Sequence, residues 1–191
     1  MTHNGGNAPN RRLVLLPVGA LMFGLAACAG ESTPQPSAAS SRPCEFDGST
    51  ERVDRQPAGG QLEVSGVRHE IIEAGCEERV VFVFDSLPDG AEPGYQVFYR
   101  DGPVQGPEGE GEVAGEAVLE VVLLDAHATD VMAAPEPAVG GVLVVDLVKP
   151  PEVAGGSLWL IGLEQERPFA VAVEQDPEPA LIVTIGAPAG S

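Results

Sequence analysis

Basic charge is scarce in this chain. Ten lysines and arginines stand against 29 aspartates and glutamates in 191 residues, a formal net charge of -19 at pH 7. Binding to nucleic acid draws on cationic side chains that neutralise phosphates, so no nucleic acid is expected as a partner. Anionic lipid headgroups and teichoic acids are disfavoured by the same sign. Positively charged partners, divalent cations and uncharged glycans remain compatible with it. Charge of this size governs solubility and encounter rather than fold.

Histidine is scarcer still, with three in all, and only His69 and His127 lie beyond the first 27 residues. Nucleophilic catalysis needs a positioned base, and neither histidine sits in a serine or cysteine nucleophile motif. A zinc hydrolase needs about three protein ligands, which two distant histidines and Glu70 do not specify. Glu108, Glu110 and Glu112 alternate with glycines on one stretch and could attract calcium. A calcium site needs about six to eight oxygens in a fixed loop, and the Asp-rich spacing with its closing glutamate is missing, so a solvated loop is expected. No enzyme, metal site or cofactor is expected.

Long apolar runs and helical periodicity are missing too. The one extended apolar run, Leu13 to Ala27, contains Pro17, Gly19 and Gly24 and has no basic flank after it. Spanning a bilayer takes about 20 apolar residues, so this run is short for a helix that stays in the membrane. Arg11 and Arg12 precede it, and it closes on Leu25-Ala26-Ala27-Cys28. A charged start, an apolar core and small residues at the end make a secretory signal. With cysteine directly after the small pair, the segment resembles a bacterial lipoprotein signal. That resemblance implies cleavage before Cys28, a diacylglyceryl group on its sulfur, and a place at the extracytoplasmic face of the cell membrane. At about 0.8 kcal/mol per buried methylene, two acyl chains anchor stably where one is marginal. The paired arginines are compatible with twin-arginine export as well as with general secretion. Loss of residues 1–27, which hold Arg11 and Arg12 and no acid, leaves 164 residues and a net charge of -21.

Of the three cysteines, Cys44 and Cys76 remain once Cys28 is assigned to lipid. In an exported chain they are expected to form a disulfide, worth roughly 3 to 4 kcal/mol by loop closure. Free thiols or metal ligation are the alternatives, and two isolated cysteines lack the paired spacing of a zinc site. Residues 29–43 carry three prolines and no apolar period, which predicts a disordered tether with an average reach of roughly 20 Å. Residues 44–60 are polar and turn-rich and predict an irregular segment. The organisation expected is therefore a signal segment over 1–27, a lipidated cysteine, linker and irregular segment over 28–60, and one domain over 61–191.

Within that domain, short β-branched and aromatic runs alternate with Gly, Pro and Asp. Arg79 to Asp85 puts Val80, Phe82 and Phe84 on one face, a strand signal. Gly94 to Arg100, Ala117 to Leu124, Val142 to Val148, Leu158 to Leu163, Phe169 to Glu174 and Leu181 to Ile185 continue the series, and Leu62 to His69 opens it. No stretch keeps a helical apolar period over three turns, and 18 prolines and 24 glycines oppose long helices. The expected fold is all-β, a sandwich or barrel.

Three runs, Arg79 to Phe84, Pro93 to Val104 and Val113 to Leu119, followed by Trp159 to Leu163, Arg167-Pro168-Phe169 and Asp176-Pro177, resemble the AMIN-like domain of small exported bacterial proteins over residues 62 to 186. The resemblance implies a β-sandwich and a non-catalytic envelope domain. The related AMIN domain accompanies cell-wall amidases and targets them to peptidoglycan. Glu78 stands where the family tends to have aspartate. Ala180 and Thr184 stand where it tends to have a late arginine and aspartate, so nothing is carried over through the last strand. With Ser191 the last residue of the sequence, no amidase domain is expected after this one.

Tyr95 and Tyr99 are four residues apart, which on a straight strand puts both rings on one face roughly 13 Å apart. Sugar rings use such faces, and Arg79 and Arg100 could address peptide carboxylates. Arg79, Tyr95, Tyr99 and Arg100 thus form the candidate ligand patch, with Tyr95, Val97 and Tyr99 as a core face the alternative. The function expected is a lipid-anchored envelope protein that binds peptidoglycan or an envelope component. The alternative is an accessory lipoprotein that holds a partner protein and no glycan.

Overall fold

The computed structural model describes residues 44–88, 91–101, 113–128, 133–150 and 156–187. The signal segment, Cys28, the tether and the Glu108–Glu112 loop lie outside the described residues. Among the described residues ten strands, numbered in chain order, form two five-stranded sheets. The first sheet has the order β1-β4-β5-β8-β7 and is made of β1 (Val53–Arg55), β4 (Gly94–Tyr99), β5 (Ala117–Leu124), β8 (Gly156–Leu163) and β7 (Val144–Val148). The second has the order β6-β2-β3-β10-β9, from β6 (Ala126–Ala128), β2 (Leu62–Glu73), β3 (Glu77–Phe84), β10 (Ala180–Gly186) and β9 (Phe169–Glu174). The expected all-β sandwich is what the chain forms.

The chain changes sheet repeatedly, so the faces of both sheets are tied by short connections. The shortest is at Asp125, the single residue between β5 and β6, whose φ of 50° lies in the left-handed region that aspartate tolerates better than most residues. Its carbonyl accepts the Leu62 N–H at 2.8 Å. β6 then runs parallel to β2, while the other strand pairs of both sheets are antiparallel.

Period-two alternation fixes the core. Val80, Phe82 and Phe84 of β3 face Leu119, Val121 and Leu123 of β5, and all six are buried together with Trp159, Ile161, Leu181 and Phe169. Phe82 meets Trp159 edge to face, with ring centroids 5.6 Å apart, a geometry that aligns ring edge with ring face. The predicted strands at Ala117–Leu124 and Phe169–Glu174 are β5 and β9 to the residue.

One prediction needs correction. Residues 44–60 are not irregular throughout, because Val53–Arg55 forms the edge strand β1 against Tyr95–Val97, and Ser49 bridges to Phe169. The folded unit therefore includes part of the segment assigned to the linker. The expected Cys44–Cys76 disulfide is present, with a Cα–Cα distance of 5.3 Å, and it joins the leading segment to the β2–β3 turn. Ala187 donates to the Cys76 carbonyl at 2.8 Å, so the last described residue is held at the same place.

Phe82 has no exposed surface, and the neighbouring Trp159 ring cannot collapse into the space it fills without leaving its own site. Phe82→Ala is expected to cost about 3 to 5 kcal/mol in urea unfolding.

Candidate functional site

Building the site starts from where alternation sends each candidate side chain. Tyr95, Val97 and Tyr99 point inward from β4. Tyr95 and Val97 belong to the main core, and Tyr99 packs against it. Arg100 follows at the end of the strand on the opposite face, 3.3 Å from Glu120. Arg79 lies in the other sheet, on the outward face of β3, 3.2 Å from Glu77. The structure therefore does not bring the four residues together. Tyr95 is buried in the core and Tyr99 is half-buried against it, and the two arginines lie on different sheets. Phe98, outward on β4, is covered by Arg52 at 4.3 Å from the ring centroid, so no bare aromatic platform is left on this strand.

Tyr99 instead builds the wall of a cleft. Its hydroxyl donates to the Arg167 carbonyl at 2.7 Å and accepts the Arg167 N–H at 2.8 Å. Its ring meets Phe169 edge to face at 6.0 Å. These contacts fix the β8–β9 loop against the end of β4. Between them opens a cleft of about 390 Å³ lined by Tyr99, Arg100, Asp101, Glu116, Gln165 and Glu166. A second hollow of about 400 Å³ shares Glu116 and Gln165 and is closed by Gly115, Glu164 and Arg167. The lining alternates carboxylates with guanidinium and amide groups, a surface suited to a polar, zwitterionic chain rather than to a flat sugar face. Burial pushes the Tyr99 phenol up to about 12, with Glu166 adding to the rise and the Arg167 contacts opposing it.

A smaller hollow of about 280 Å³ lies beside Gln61, Glu63 and His127. Gln61 Nε2 lies 3.2 Å from His127 Nε2, so this histidine sits at the surface on the short edge strand β6. Among the described residues no group of three His, Cys, Asp or Glu could hold a metal ion.

The arrangement that sequence reasoning missed is buried. The side chains of His69 and Glu78 have no exposed surface and meet at 2.9 Å, Nε2 to Oε2. Glu78 also accepts the N–H groups of Val142 at 2.6 Å, Leu143 at 2.9 Å and Val144 at 3.0 Å. Three successive backbone donors converging on one carboxylate make an anion nest. Burial alone would push the Glu78 carboxyl up. The Val144, Leu143 and Val142 donors and the His69 ring outweigh it and hold the carboxyl below its ordinary value. The signal was available in the alternation of β3, which puts Glu78 on the same face as Val80, Phe82 and Phe84.

Comparison with known proteins adds one family. A protein-family model for the AMIN-like domain matches residues 62–187, and no curated protein or solved structure matches the chain.

The Tyr99 contacts predict an alkaline signature. A phenol whose folded value is raised favours the folded state below the ordinary tyrosine value of about 10, and that contribution is lost as the pH rises through the folded value. Absorbance titration is expected to show a phenolate step near 12 that disappears in Tyr99→Phe. The same change should destabilise the chain by about 1 to 3 kcal/mol, because two buried backbone groups of Arg167 lose their partner.

Proposed function

This chain belongs to the AMIN-like domain family, and from that premise we propose that it is a non-catalytic, lipid-anchored protein of the bacterial cell envelope whose β-sandwich binds peptidoglycan. The observation that carries the reading is the family match over residues 62–187, which spans the second sheet and every strand of the first except β1. The lipobox ending at Cys28 supports the anchor, and attachment there would hold the domain at the extracytoplasmic face of the membrane.

Within the wall, the stem peptide is the better fit than the glycan. Tyr95 is buried, and Tyr99 is half-buried with its ring edge to face with Phe169 and its hydroxyl held by Arg167, so the two do not form a paired stacking surface for a sugar. The cleft beside Arg100 carries opposite charges within one concave surface, which suits a peptide bearing both ammonium and carboxylate groups. Binding has to be local, because a chain with this net negative charge gains nothing from bulk attraction to an anionic wall.

A second reading rests on the edge of the second sheet. Ser49 pairs with Phe169 at the start of β9, and the strand continues as an edge through Ala170-Val171-Ala172-Val173 with no lysine or proline to block it. Unblocked edges accept strands from other chains, which would make the protein an accessory lipoprotein holding a partner.

The two readings separate in one experiment. The chain carrying Cys28→Ser should lose fatty-acid labelling and be recoverable in soluble form. That soluble form should co-sediment with sacculi stripped of teichoic acid, and Arg100→Ala should weaken binding by about tenfold, the scale of one charge-assisted hydrogen bond, with little change in melting temperature. A chain that stays in the supernatant while cross-linking in cells captures an envelope protein would replace the peptidoglycan reading with the accessory one.

A further inference from the structure

The segment 133–143 that leads into β7 is held to the second sheet at two points of different chemistry. At its far end, Val142, Leu143 and Val144 donate to Glu78. At its near end, Ala138 donates its N–H to His69 Nδ1 at 2.7 Å. A ring nitrogen that accepts a hydrogen bond carries no proton. The single ring proton is therefore on Nε2, directed at Glu78 Oε2, and the imidazole in this arrangement is neutral.

We propose that His69 is a proton-operated latch on this segment. Protonation puts a hydrogen on Nδ1, so the acceptor for Ala138 becomes a second donor facing it at hydrogen-bond distance, and that contact must open. The other ring nitrogen keeps its proton and its partner, and the bond to Glu78 becomes an ion pair. Acid thus releases the segment at Ala138 and leaves it tied at Val142 to Val144.

The surrounding charges make the response one-sided. On β2, Arg68 and Glu70 pair with each other at 2.6 Å, away from His69. On β3, Glu77 and Arg79 pair on the outward face. On the segment itself Glu136 is exposed, and on β7 Asp146 is occupied by the Ala114 and Leu147 N–H groups. Glu78 is therefore the charge that meets the ring among the described residues. Its anion offsets the positive charge created on protonation, so the Ala138 contact is what opens.

The piece released is shaped to move. Gly141 donates to the Ala138 carbonyl at 3.0 Å, closing a turn in which Gly140 has a φ of 93°. A side chain at Gly141 would press on Glu78 Oε2 and His69 Cε1, both 3.0 Å from its Cβ. The turn carries Val139, which is fully exposed at 101%, and Val142, exposed at 53%. Release at Ala138 changes how Val139 is presented at the surface, while Val142 stays tied to Glu78.

Amide hydrogen exchange on the full chain, compared at about pH 7.5 and about pH 5 and corrected for intrinsic rates, tests the latch. Ala138 is expected to lose at least about tenfold protection in acid, while Val142 to Val144 keep theirs. His69→Gln should remove the difference, because its carbonyl can accept from Ala138 and its amide can donate to Glu78 without titrating. Equal protection of Ala138 at both pH values in the wild type, or the same acid loss in His69→Gln, would overturn the proposal. Should that variant not fold, imidazole ¹⁵N spectra of the wild type decide. Nδ1 must be bare at neutral pH and protonated in step with the loss at Ala138. A ring that stays neutral while the segment loosens would overturn it equally.

Discussion

One buried carboxylate holds the two sheets to a common frame. Glu78 sits on the core face of β3, where an isolated charge would cost several kcal/mol to desolvate. It is tolerated because three backbone N–H groups and an imidazole surround it. Those donors are Val142 and Leu143, just before β7, and Val144, its first residue, at the edge of the other sheet. The contact therefore fixes the position of the first sheet's edge relative to the centre of the second, and apolar packing, which has no direction, cannot do that by itself. Gly141 is part of the same constraint, since a side chain there would crowd Glu78 Oε2 and His69 Cε1 at 3.0 Å.

The candidate surface depends on what the interior has claimed. Both tyrosines of β4 are used to fill the core and to pin the β8–β9 loop through Arg167. What remains at that end of the sandwich is a polar cleft with charges of both signs. The disulfide acts at the opposite kind of place, joining a polar leading segment with little apolar surface of its own to the β2–β3 turn. Each device serves a part of the chain that hydrophobic burial does not position.

The strands with strong alternation were legible in the sequence because their side chains report the period of the pleat. β5 and β9 were read to the residue, and Val80, Phe82 and Phe84 were assigned to the correct face. β1 and β6 were not, because three residues such as Val53-Asp54-Arg55 or Ala126-His127-Ala128 contain too little apolar pattern to stand out from a loop. They are strands because a neighbour offers them a ladder. The candidate ligand patch failed to assemble for a related reason. Spacing along one strand places Tyr95 and Tyr99 on one face, but it does not say which face is buried or that Arg79 belongs to another sheet. Glu78 was visible as an acid on an apolar face, yet its three backbone donors lie more than 60 residues away, beyond any local pattern.

The most direct test of the role of Glu78 is the unfolding free energy of Glu78→Gln against the wild type as a function of pH. The variant keeps the shape and removes the charge that the donors surround. A carboxylate whose folded value is depressed favours the folded state above the ordinary glutamate value of about 4.3, and the contribution is lost as the pH falls through the folded value. At neutral pH the wild type is expected to be more stable by about 2 to 4 kcal/mol, the scale of several hydrogen bonds to a buried charge, and the gap should close in strong acid. A difference below about 0.5 kcal/mol at neutral pH, or a gap that does not change with pH, would contradict the role assigned to this carboxylate.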